Sequence, residues 1–266
     1  MTSQSTLGTA LITGASTGIG AVYADRLARR GYDLILVARS GERLSALADS
    51  LRAKTGRKVG FVVADLNDKS DLLNIEKVLA TDPTITLLVN NAGVGAVAPL
   101  VSTNVDDMEA LIDLNVTALT RLTYAAVPAF LRRGTGAIIQ IASVVGISPE
   151  TLNGVYGASK AFVIALTQSL QRELAGKGVR VQVVLPGATA TPFWDVAGMP
   201  VSHLPDDFVM TTDDLVDAAL AGFDMGELYT IPSLADVAQF NEYEAARLAM
   251  VPNLSKTKPA ARYGLQ

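Results

Sequence analysis

Short, almost unbroken apolar stretches alternate along the chain with longer stretches in which apolar residues return every three or four positions. The first pattern predicts strands buried on both sides, the second helices with one buried face. Strands are predicted at Thr9–Thr13, Leu34–Ala38, Val59–Ala64, Ile85–Val89, Gly136–Ile141 and Arg180–Leu185, with a last one at Gly226–Ile231. Helices are predicted at Ile19–Arg30, Gly41–Lys54, Lys69–Ala80, Val105–Arg132, Val155–Ala175 and Leu234–Met250. Such alternation implies a mostly parallel sheet with helices on both faces, an α/β, doubly wound, Rossmann-type fold. A single catalytic domain over residues 1–266 is expected, with a substrate lid at about 188–212 and a C-terminal helix plus tail at 234–266.

One helix is apolar over more than one stripe. Ala158, Ala161, Phe162, Ile164, Ala165, Leu166 and Leu170 cover a wider arc than a helix lying on a sheet requires. Either a neighbouring helix of the same chain or a helix of a second subunit covers the excess.

Composition narrows the chemistry. No run of about 18 uncharged apolar residues occurs, so no membrane-spanning helix is expected. Met1–Thr6 is polar and lacks the layout of a signal peptide. The net charge of −4 argues against a nucleic-acid-binding surface. The chain contains no cysteine, and His203 is its one histidine. Disulfides, thiol nucleophiles and His- or Cys-based metal sites are therefore excluded, and no metal is expected. The simplest location is the cytoplasm. Proton chemistry is left to Tyr, Lys and carboxylates.

Two patterns carry that chemistry. Gly14, Gly18 and Gly20 fall between the first strand and the first helix, where glycines let the backbone approach a pyrophosphate at a helix N-terminus. The spacing is G-x3-G-x-G, and its context makes it a dinucleotide loop. After the second strand the chain reads Ala38-Arg39-Ser40, with Arg43 one turn later. An acidic residue there suits the ribose hydroxyl of NAD, and guanidinium groups suit a 2′-phosphate, so NADP(H) rather than NAD(H) is predicted. Tyr156 and Lys160 share one helix face at i and i+4. A nearby ammonium would favour the phenolate and lower the tyrosine pKa.

These motifs, with Asp65-Leu66, Asn90-Asn91-Ala92-Gly93, Asn115, Ser143, Tyr156-Gly157-Ala158-Ser159-Lys160 and Pro186-Gly187, resemble the short-chain dehydrogenase/reductase family over about Leu7–Thr191. The resemblance implies that Tyr156 exchanges a proton with the carbonyl or alcohol oxygen. It implies that Lys160 tunes the tyrosine and bonds the nicotinamide ribose, that Ser143 holds the reacting oxygen, and that Asn115 supports a water-linked proton path. Gly14, Ser16, Thr17, Gly18, Ile19, Asp65, Leu66, Asn91, Ala92, Gly93, Pro186, Gly187 and Thr189 would meet the cofactor. Read without the resemblance, Ser143 could cap a turn and Asn115 could satisfy helix backbone groups.

Beyond Pro186, bulky apolar residues stand among prolines: Thr191-Pro192-Phe193-Trp194, Met199-Pro200 and His203-Leu204-Pro205. They suggest either a lid over an apolar pocket or a loop anchored on the core. The expected substrate is a small apolar carbonyl or alcohol compound, and the expected assembly a homodimer or homotetramer. The functional expectation is an NADP(H)-dependent oxidoreductase. A catalytically silent dinucleotide-binding sensor is the alternative.

Overall fold

The computed structural model of the chain describes residues 5–265. The leader Met1–Thr6 in part, and Gln266 of the tail, lie outside them. Two compact units form, Met1–Pro232 and Ser233–Gln266.

The first unit alternates strand and helix as the apolar pattern requires. Its elements begin with β1 (Thr9–Thr13), α1 (Gly18–Arg29), β2 (Asp33–Ala38), α2 (Gly41–Thr55), β3 (Val59–Val63), α3 (Lys69–Thr81) and β4 (Ile85–Asn90). They continue with α4 (Val105–Ile112), α5 (Leu119–Arg133), β5 (Gly136–Ile141), α6 (Gly154–Leu174), β6 (Val179–Val184), α7 (Phe193–Ala197), α8 (Thr212–Met225) and β7 (Tyr229–Thr230). All strand pairs are parallel, in the order β3-β2-β1-β4-β5-β6-β7. Strand β1 therefore pairs with both β2 and β4. The strand order reverses there, which opens a crevice at the carboxyl ends of these strands.

Alternation within each strand divides the core between the two sheet faces. Ala10 and Ile12 pack with Leu34, Leu36, Leu27 and Leu44 on one side, and with Leu215 and Leu220 of α8. Leu11 packs on the other with Leu88, Ile138 and Ile75, and with Leu122 and Phe130 of α5. The edge strand β3 departs from the expected burial on both faces: Phe61 and Val63 are exposed.

Three expectations are corrected. The long helix Val105–Arg132 is broken by a π-helical turn, Asp113–Ala118, between α4 and α5. Helix α8 was not predicted, although Thr211 marks its start by accepting from Asp214 N at 3.1 Å. The last strand is two residues long, because only Val183 and Val184 of β6 pair with it.

In the second unit, α9 spans Val237–Met250, starting three residues later than expected. Asp236 caps it by accepting from Ala238 N at 2.9 Å. Arg247 forks onto Glu244, and the rings of Phe240 and Tyr243 stand 5.7 Å apart. Short 3-10 turns follow at Val251–Asn253 and Ala261–Tyr263.

Candidate active site

The loop leaving β1 is held by side chains from the end of β4. Asn91 Nδ2 donates to the carbonyl oxygens of Thr13 at 2.9 Å and Gly14 at 3.2 Å. Thr13 Oγ1 accepts from the backbone N–H groups of Asn91 and Ala92, both at 3.0 Å. Gly14 has φ +64°, a left-handed conformation that side chains rarely adopt. At Gly20 the limit is space: an added Cβ would stand 2.4 Å from Gly14 O and 2.5 Å from Asn91 Nδ2. Helix α1 starts at Gly18 with no side-chain cap and no acidic residue in its first turn. Its first N–H groups are left for an anion. Ser16, Thr17, Gly18 and Ile19 are half-buried along this mouth.

Arg39, just past β2, and Arg43, in the first turn of α2, are both exposed. Neither has a hydrogen-bond or ion-pair partner among the described residues. Past β3, Leu66 is buried, and Asp65 accepts from Asn67 N at 3.0 Å. Past β6, Thr189 is buried and its hydroxyl donates to Gly187 O at 3.0 Å. The predicted cofactor residues thus lie after the carboxyl ends of β1, β2, β3, β4 and β6.

The four residues expected to be catalytic come from three elements. Ser143 follows β5, Tyr156 and Lys160 occupy the first turns of α6, and Asn115 sits inside the π turn. All are buried. Ser143 accepts from Val145 N at 3.4 Å and donates to Pro186 O at 3.3 Å, so it caps the following turn. Its hydroxyl also stands near enough to the Tyr156 phenol to favour the phenolate. Lys160 Nζ donates to Ile141 O at 3.0 Å and lies 5.8 Å from the Tyr156 ring centroid. Asn115 is committed to its neighbours: Oδ1 accepts from Val94 N at 3.0 Å, and Nδ2 donates to Val94 O at 2.9 Å and Ser159 Oγ at 3.1 Å. Ser159 Oγ in turn donates to Tyr156 O at 2.7 Å. Ser159, whose part in this chain of bonds was not foreseen, joins Asn115 to the tyrosine backbone. At Gly93 an added Cβ would stand 3.0 Å from Asn115 Oδ1 and 3.4 Å from Lys160 Nζ, so the loop after β4 closes on both.

The electrostatics differ from the expectation. Burial pushes the Tyr156 phenol up to about 12, and the nearby Ser143 hydroxyl only partly opposes this. Burial pulls the Lys160 ammonium down to about 8. Both shifts disfavour the charged form, and desolvation outweighs any help from the ammonium to the phenolate. At neutral pH the phenol is therefore neutral and the lysine protonated.

Phe193 and Trp194 divide the two roles weighed for them. Trp194 is an anchor: it is buried, and Nε1 donates to Thr189 O at 2.8 Å. Phe193 lies against the site, its ring centroid 5.7 Å from that of Tyr156. The segment carrying both returns on itself, because Ala190 N donates to Met210 O and Met210 N to Ala188 O, each at 2.9 Å. His203 is exposed on this segment.

Residues 8–198 match the short chain dehydrogenase family. The chain belongs to the short-chain dehydrogenases/reductases. It is an oxidoreductase of that family, with the family's Rossmann-type fold. A short-chain dehydrogenase from Sphingobium yanoikuyae, solved in complex with NADPH, is 49% identical with a TM-score of 0.93, over 96% of this chain and 98% of that one. The bulky-bulky ketone specific alcohol dehydrogenase from Comamonas testosteroni is 44% identical with a TM-score of 0.89, over 97% of this chain and 98% of the other. Sulfoacetaldehyde reductase 2 of Chromohalobacter salexigens is 40% identical over 187 residues, 69% of this chain and 73% of the reductase.

Within this short-chain dehydrogenase, no helix among the described residues is long and apolar enough to cross a membrane. No cluster of potential metal ligands occurs among them either.

Proposed function

We propose that the protein is an NADP(H)-dependent reductase of apolar ketones or aldehydes, working as an alcohol dehydrogenase in reverse. The observation that carries this reading is the buried Ser143–Tyr156–Lys160 group, in which burial keeps the phenol neutral. The dinucleotide fits the residues present. Gly20 lets the loop after β1 close on Gly14 and Asn91, and Arg39 and Arg43, exposed and without partners among the described residues, follow the second strand, where guanidinium groups suit a 2′-phosphate. The NADPH bound to the Sphingobium relative supports the same choice. The reduced cofactor, when bound, supplies a hydride; the protein positions the reactants and manages the proton.

Ser143 and Tyr156 together hold the carbonyl oxygen, and the phenol delivers its proton to that oxygen as negative charge builds on it. Lys160, protonated at neutral pH, returns positive charge to the pocket once the proton has left. Asn115 fixes Val94 on one side and Ser159 on the other, which sets the rotation of the first turn of α6. The side chains packed with Tyr156, among them Ala96, Leu111 and Val145, are apolar, a setting that favours a substrate without charge. The ketone named for the Comamonas relative agrees with that.

The test is Tyr156→Phe. NADPH oxidation with an apolar ketone should fall by on the order of 10²–10⁴, while NADPH still binds in a fluorescence titration. The same titration with NADH should give the weaker affinity. Undiminished turnover in the variant, or tighter NADH binding, would overturn the assignment. Tight NADPH binding with no oxidation by any ketone or aldehyde would favour the sensor instead.

A further inference from the structure

The candidate proton donor is closely surrounded. Tyr156 is 5% exposed and Ser143 8%, so little room is open beside the phenol for the substituents of a substrate. Most of the cover is fixed. Leu111 belongs to α4, Val155 to α6, and Val145 to the turn after β5. The loop after β4 is tied down by Asn91, by Asn115 at Val94, and by Asn153, whose Nδ2 donates to Ala98 O at 2.7 Å. Phe193, by contrast, starts the five-residue helix α7, on a segment whose two ends are bridged at Thr189 and Met210.

Phe193 has a seat made for it. An added Cβ on Gly95 would stand 2.1 Å from Phe193 Cζ and 2.8 Å from Cε1 and Cε2. The ring therefore rests directly on a backbone left bare by glycine, between Gly95 and the Tyr156 ring. Gly95 has no positive φ, so the residue is there for space and not for conformation. Behind it, the Trp194 indole meets the Phe193 ring edge-on at 5.7 Å and is anchored to Thr189.

We infer that Phe193 sets the bulk of the carbonyl compound the enzyme accepts, because its ring occupies the Gly95 seat that the substrate's second substituent must enter. This rests on the carbonyl-reductase reading above. A ketone with one small substituent needs only a partial displacement of the ring. A ketone with two ring-sized apolar substituents needs the whole volume. The ring competes with such a ketone for the same face of Tyr156.

Two variants of the full chain test this from opposite sides. Phe193→Ala removes the ring, and Gly95→Ala keeps it but denies it the seat. Both should raise the ratio of kcat/KM for diaryl ketones over methyl ketones by about tenfold or more, with NADPH affinity unchanged. Trp194, the only tryptophan, should report the displaced ring in Gly95→Ala by a changed emission spectrum. An unchanged or lowered ratio in both variants, or an unmoved Trp194 emission in Gly95→Ala, would overturn the inference. If the wild-type protein binds NADPH but reduces no ketone, the catalytic reading fails and this inference falls with it. Bound NADPH and turnover with unaltered selectivity would defeat the inference alone.

Discussion

A lysine at 5% exposure with one carbonyl for a partner is an unfavourable residue to fold around. Its folded pKa of about 8 lies below the ordinary 10.5, so below about pH 8 the folded state carries a charge it poorly solvates. Between about 8 and 10.5 the unfolded chain binds more protons than the folded one, and stability from this group rises with pH. Tyr156 acts oppositely: its pKa is raised from 10.0 to about 12, so its contribution is lost as pH rises across that interval. Lys160→Met should therefore make the cofactor-free protein more stable at pH 7, by up to about 3 kcal/mol. The advantage should shrink by pH 10, as read from denaturant melts at both pH values. A variant less stable than wild type at pH 7 would show that the Ile141 bond outweighs desolvation. A site that costs stability in this way is consistent with selection for chemistry.

At the scale of elements, the π turn Asp113–Ala118 lets Asn115 reach Val94 and Ser159 at once. Asn115→Ala would leave part-buried backbone groups of Val94 without these partners, at a cost on the order of 1 kcal/mol. Faster hydrogen exchange at the Val94 amide, together with a lower melting temperature, is the expected signature; protection equal to wild type would contradict it. The sequence made most of this architecture legible because buried parallel strands are nearly pure apolar runs. Thr9–Thr13 and Gly136–Ile141 were placed to the residue for that reason. The π turn was not legible, since the apolar spacing of Val105–Arg132 passes through it without interruption. Helix α8 was not among the predicted elements, although Thr211 and two aspartates mark its start. Ser143, Tyr156 and Lys160 could be paired from spacing and resemblance. Phe193 on Gly95 could not, since nothing local links two residues 98 positions apart.

At the scale of the whole molecule, the wide apolar arc of α6 splits between the two explanations offered for it. Ile164 and Leu170 are buried within the chain, whereas Ala158, Phe162 and Ala165 stay exposed along one stripe. Tyr124 of α5 and Val105 of α4 are exposed as well, at 70% and 75%. We propose that the α6 stripe is a contact between copies, in keeping with the expected homo-oligomer. Phe162→Glu should convert the protein to monomer in sedimentation velocity, with its circular dichroism intact. A wild-type protein that already sediments as a monomer at micromolar concentration would rule this out.

The paired hydrogen bonds joining Ala188 and Ala190 to Met210 have an implication for how such an enzyme can change. Entry and exit of the intervening stretch meet at one fixed clasp, so its interior can be exchanged without tugging on β6 or α8. Replacing residues 191–209 as a cassette would change what packs against Tyr156 while Asn115, Ser143 and Lys160, none of which lies on it, keep their places. New preferences can thus arise from one short gene segment, leaving the costly buried machinery untouched.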